Sequence, residues 1–190
     1  NAEATFDVLS GGRVTAPSLD LGAEVAGNGA LTVAGVESLV TVAGRLSVGF
    51  EGVGALTVTN GTVLANEIRA ARSPDAEATI RVQGGLAILR ATDTIAIGVP
   101  GPARLEITDG SVSARGLTVA AFNPNVPSLT PSIVEMTGGF LTVTDGVVIG
   151  NLDEATGTAG GVGLVDVQGG GRLEVTAAGV MNDIMRLAPI

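Results

Sequence analysis

The chain has 190 residues and a formal net charge of −9; all ten basic residues are Arg, and Lys, His, Cys, Trp and Tyr are absent. With no basic run to neutralise phosphates or anionic headgroups, composition argues against nucleic acid and charged membrane surfaces as partners. The lack of Cys removes disulfides, thiol catalysis and Cys-ligated metals together, and no apolar run approaches the ~18 residues of a spanning helix, so no membrane insertion is expected.

In chain order the sequence reads as one unit repeated. Thr5–Val8 alternates apolar and polar residues, the period-2 pattern of a strand with one buried face. The turn Ser10-Gly11-Gly12 follows, then Arg13–Ala16 and, after Pro17, Ser18–Leu21. The second unit carries Ala30–Val33, a longer turn through Gly35, Val36 and Glu37, then Leu39–Val42 and Arg45–Val48. In the third, Gly54-Ala55-Leu56-Thr57-Val58-Thr59 runs into Asn60-Gly61, a pair suited to left-handed backbone, before Thr62–Ala65 and Glu67–Ala70. Cognates of the first strand recur at Thr79–Val82, Arg104–Ile107, Ile133–Met136 and Leu164–Val167. Steps between Val8, Val33, Val58, Val82, Ile107, Met136 and Val167 are 25, 25, 24, 25, 29 and 31 residues, a steady period with two late insertions. No stretch shows sustained 3.6-residue periodicity, so no long helix is expected.

Strands that lack hairpin partners and return every ~25 residues pair in parallel with the next coil. The predicted fold is therefore all-β, a single-stranded parallel β-helix (β-solenoid), right-handed by the rule for parallel crossovers. It has about seven coils with three strands each, starting near residues 4, 29, 54, 78, 103, 132 and 163, in one domain over 1–190. Small aliphatic residues suit its narrow interior. Insertions at Ala71–Glu77, Val99–Pro102, Ala120–Pro131 and Asn151–Gly163 all fall between the third strand and the next first strand. One corner thus gathers the extra length, either as a binding face or because nothing packs there. The chain starts at Asn1 without Met, as in a processed or excised segment.

Units such as Gly-Ala-Leu-Thr-Val-Thr-Asn-Gly-Thr-Val and Gly-Arg-Leu-Ser-Val-Gly resemble the repeats of autotransporter-type passenger domains. They are similar in particular to the repeat of bacterial exported proteins that carry a PEP-CTERM sorting tail. The resemblance implies a β-helix that is secreted or displayed at a bacterial surface, in an adhesive or structural role. It brings no catalytic residue with it, and the chain contains neither a β-barrel translocator nor a sorting tail.

Parallel β-helices also suit polysaccharide lyases and hydrolases, so enzyme is the rival class. With His, Lys, Cys and Tyr missing, acid–base work would rest on Arg and Asp/Glu alone, and no catalytic residue is assigned. One column of outward positions reads Asp7, Thr32, Thr57, Arg81, Glu106, Glu135 and Asp166. Stacked about 4.8 Å apart, Glu106, Glu135 and Asp166 would repel unless Ca²⁺ or an arginine (Arg104, Arg172) compensates, or unless they form a solvated stripe screened by salt. They are the weak candidates for a metal site, and no other cofactor is expected. A repeated Thr-x-Thr ice-binding array is broken at Arg81 and Glu106. The expected partner is a second copy: open solenoid ends invite head-to-tail stacking into a homo-oligomer or open fibre. Phe6 and Val8 would act at one end, and Ile184, Met185, Leu187 and Ile190, in an extending tail over 182–190, at the other. The leading expectation is an extracellular filament, adhesin stalk or matrix fibre. The alternative is a carbohydrate-binding or carbohydrate-cleaving β-helix using the inserted corner, Asp153 and Glu154 included, on a glycan or surface ligand.

Overall fold

The computed structural model describes residues 2–98, 100–120, 131–150, 152–153, 158–159 and 162–176. These residues are all-β, with no helix, and their strands stack in parallel as a β-solenoid. The first strand of each rung joins a seven-stranded sheet in the order β1 (Ala2–Leu9), β4 (Gly27–Ala34), β6 (Val53–Thr59), β8 (Glu77–Gln83), β11 (Ala103–Ile107), β13 (Ser132–Met136) and β17 (Gly163–Val167). The rest of each rung enters a nine-stranded sheet made of β2 (Arg13–Ala16), β3 (Leu19–Leu21), β5 (Leu39–Val48), β7 (Thr62–Ala70), β9 (Ile88–Ala91), β10 (Thr94–Ile97), β12 (Ser111–Val119), β14 (Phe140–Ile149) and β18 (Arg172–Val175). A short antiparallel pair, β15 (Leu152–Asp153) and β16 (Thr158–Ala159), lies within the connection from β14 to β17.

Two features correct the expected layout. The solenoid amounts to about five turns, fewer than seven coils. Among the described residues seven first strands are present, the last rung shows only the short β17 and β18, and the connections closing the rungs that begin at β11 and β13 pass through residues outside those described. The second and third strands are separate only as β2/β3 and β9/β10; in β5, β7, β12 and β14 the backbone runs on around the corner as one strand. The corner works by reversing side-chain parity. In β7 the buried positions are Val63 and Ala65 before the corner and Ile68 and Ala70 after it, with Asn66 exposed between them. β12 does the same around Arg115. β5 spends one residue more there, so its ladder to β7 slips between Val42 and Arg45.

Inside, the alternation produces ladders of like residues. Phe6, Leu31, Leu56, Ile80, Leu105, Val134 and Val165 stack in register along one wall. A parallel ladder contains Val8, Val33, Val58, Val82, Ile107, Met136 and Val167. From Leu31 to Val134 and from Val8 to Met136 these side chains are buried, each worth roughly 1.5–3 kcal/mol before chain entropy is subtracted.

The corner that carries the insertions needs left-handed backbone in rung after rung, at Gly22, Gly49, Ala71, Gly98, Ala120 and Gly150. The next first strand approaches it closely: a Cβ on Gly54 would stand 1.9 Å from the Gly49 nitrogen. At the turn after β6, only Asn60 of the Asn60-Gly61 pair has positive φ. Gly61 is required there by space, since a Cβ would lie 2.9 Å from the Val33 carbonyl oxygen. In the preceding rung the longer turn is held by Ser38, fully buried. Its Oγ donates to the Ala34 carbonyl at 2.7 Å and accepts from the Gly11 N–H at 3.1 Å.

Candidate functional site

The outer face of the first-strand sheet carries the acidic column in the expected register. Asp7, Thr32, Thr57, Arg81, Glu106, Glu135 and Asp166 are successive neighbours. The charges of Glu106 and Glu135 are met by arginines. Arg81 Nε donates to Glu106 Oε2 at 2.7 Å. Arg104 lies 2.7 Å from Glu106 Oε1 through Nε, off the N–H direction and so as an ion pair only, while its Nη2 pairs with Glu135 Oε2. Asp166 is set apart and accepts from Gln168 Nε2. Arg172 turns to Glu174 two residues along its own strand, at 3.2 Å, instead of to the column. The compensation is therefore Arg81–Glu106–Arg104–Glu135, a chain of alternating charge spanning three rungs, with a small cleft of about 190 Å³ beside Glu106, Thr108, Glu135 and Thr137. Among the described residues no three acidic side chains converge on a point where a metal could sit.

The solenoid end at β1 presents a different surface. On the side away from β4, β1 has no neighbouring strand among the described residues, so its edge N–H and C=O groups are open to a further strand. Phe6 occupies an inward ladder position, yet it is 47% exposed, since no described strand stacks on it along the axis. Val8, expected beside it as an assembly residue, is only 3% exposed. The turn that follows shields it: a Cβ on Gly12 would come within 3.3 Å of the Val8 methyl. A groove of about 460 Å³ lies along this end, lined by Phe6, Leu21, Ala23, Ala26 and Ala30 among others. At the opposite end Val167 and Val175, on inward ladders, are 41% and 45% exposed. Ile184, Met185, Leu187 and Ile190, like Glu154 and residues 121–130 of the Ala120–Pro131 insertion, lie outside the described residues.

A third group was not legible as a cluster. Arg45, Arg69 and Arg72 are scattered in sequence but share the face that follows the parity-reversing corner in the second and third rungs. Arg72 sits with its guanidinium carbon 4.6 Å from the centre of the Phe50 ring, a cation–π contact. Partial burial, then the charges of Arg45 and Arg69, hold Arg72 below the ordinary arginine range, against the pull of Asp20 and Glu67. No pattern short of the folded register brings Arg72, beyond the end of β7, back over Phe50. Elsewhere Arg115 bridges to Asp145 across rungs at 2.5 Å, and the hydrogen bond, the Asp145 charge and that of Asp93 raise it.

No protein family, curated protein or solved structure matches this chain.

Proposed function

We propose that the chain is a structural β-solenoid that works outside the cell and lengthens by stacking, the end face of one copy continuing the ladders of the next. One observation supports the reading: among the described residues no strand pairs with the outer edge of the eight-residue β1, which lies beside a half-exposed Phe6 and an apolar groove. The ladders of the two large sheets are all parallel, so a copy added by translation along the axis meets the same kind of face again. A heterologous contact of that sort does not close and yields a fibre. The resemblance of its repeats to those of exported bacterial proteins supports a place at the cell surface. Non-enzymatic work agrees with the pairing of Glu106, Glu135 and Asp166 in that column to arginines and a glutamine.

Light scattering and electron microscopy of the purified chain, set beside Phe6→Asp, test the reading. The parent is expected to form rods or oligomers that grow with concentration. Phe6→Asp, at a half-exposed end position, should keep the β-sheet circular dichroism and shift the population to monomer. A parent that stays monodisperse and monomeric at all concentrations would overturn stacking. Protease shaving of intact cells tests the location: protection of the chain until lysis would overturn the extracellular assignment.

A further inference from the structure

Beyond β5's corner, Leu46 and Val48 face the core, and Arg45 and Ser47 face outward. Ser47 is nevertheless fully buried, because Arg45 lies over it and donates from Nε to its Oγ at 3.2 Å. One rung along, Glu67 is the register partner of Arg45, and Arg69 that of Ser47. Arg69 Nε donates to Glu67 Oε1 at 2.7 Å, so this carboxylate is already engaged. Asp20 is Ser47's partner on the other side. Arg72 completes the group from the inserted corner, its backbone N–H bonded to the Gly49 carbonyl and its guanidinium resting on Phe50. Among the described residues, neither Arg45 nor Arg72 reaches a carboxylate at ion-pair distance.

Three of the ten arginines, one of them paired with Glu67, thus share one face over two rungs of a chain whose net charge is −9. The charges of Arg45 and Arg69 bear on Arg72, and a planar or tetrahedral oxyanion relieves such repulsion with charge-assisted, bidentate hydrogen bonds. Stacking on Phe50 fixes Arg72 and leaves its edge N–H groups as donors. We propose that Arg45, Arg69 and Arg72 form a binding site for the carboxylate or sulfate groups of an acidic polysaccharide. A polymer with one anionic group per sugar carries less charge per length than a polyphosphate, so the acidic remainder of the surface repels it less. The proposal is independent of stacking, since the site lies on the side of the rod.

The test is titration of the intact chain with oligogalacturonate, with galacturonate monomer and with inorganic sulfate, in low salt, following amide chemical shifts. Oligogalacturonate should shift the amides of Ser47, Phe50 and Arg69 and bind at least about tenfold more tightly than the monomer or sulfate. Raising the salt should weaken it steeply. Arg72→Gln, which keeps a stem over Phe50, and the double variant Arg45→Ala/Arg72→Ala should each lower affinity about tenfold or more with the circular dichroism unchanged. Arg90→Ala, an exposed arginine in β9, should have no effect. Loss of binding in Arg90→Ala equal to that in Arg72→Gln, or no binding of any of the three anions, would refute the site. Binding of sulfate or monomer as tight as that of the oligomer would refute the polysaccharide as its ligand.

Discussion

Val58 and Thr57 are consecutive in β6 and live in different solvents. Val58 is fully buried between Val33 and Val82, whereas Thr57 lies on the outer face between Thr32 and Arg81. An aspartate at Val58 places an unpaired carboxylate in the core and should cost several kcal/mol. At Thr57 the same residue gains Arg81 as a neighbour and should change stability by less than about 0.5 kcal/mol. Urea unfolding of both variants checks this, and equal damage would refute the inside–outside assignment. That assignment was readable in the sequence, since a period of 2 within a period of ~25 leaves one choice of inward face. The reason for individual glycines was less accessible. Gly54 reads as ordinary repeat punctuation, yet it is a glycine because the preceding corner passes too close for any Cβ. Steric facts of this kind belong to chain segments brought together only by folding.

At the scale of the strand, the corner in β7 takes up length that the straight segments cannot. β5 turns the same corner with one residue more than β7 and still pairs with it on both sides of the slip. One glycine inserted after Asn66 copies that arrangement and should cost less than about 1 kcal/mol, as a bulge does. One glycine inserted between Val63 and Leu64 turns the inward residues out up to the corner and should cost several kcal/mol. Thermal unfolding of the two variants separates them, and similar losses would show that the corner absorbs nothing. The sequence alone suggests a break at Asn66, because the apolar alternation stops there; the backbone ladder goes on regardless. Site residues divide in the same way. The acidic column and the help from Arg104 follow from the repeat register, since all are positions on cognate strands. Arg172, by contrast, lies in β18 of the other sheet and pairs with Glu174 on its own strand. The cluster on the next face was out of reach because Arg72 and Phe50 belong to irregular corners, where spacing says nothing about direction.

For the whole molecule, stability is a sum over neighbouring rungs and has no single centre. Removing residues 29–53 joins Asn28 to Gly54, which is the register partner of Gly29, and so takes out one whole period without changing the facing of any strand. The shortened chain should fold with an unchanged circular dichroism spectrum per residue and only a modest fall in melting temperature. Removing residues 29–41, about half a period, should abolish cooperative unfolding. Calorimetry decides, and collapse of the whole-period deletion would refute the modular reading. The same stacking governs how the rod carries a load. Its inter-rung hydrogen bonds run along the axis, so a pull on the chain ends loads the rungs in series, and the outermost rung, paired on one side only, yields first. Each rung that peels away shortens the rod by about 4.8 Å and pays out roughly 80–90 Å of extended chain. A filament of such units yields in steps under tension, and each step can reseal on the rung that remains.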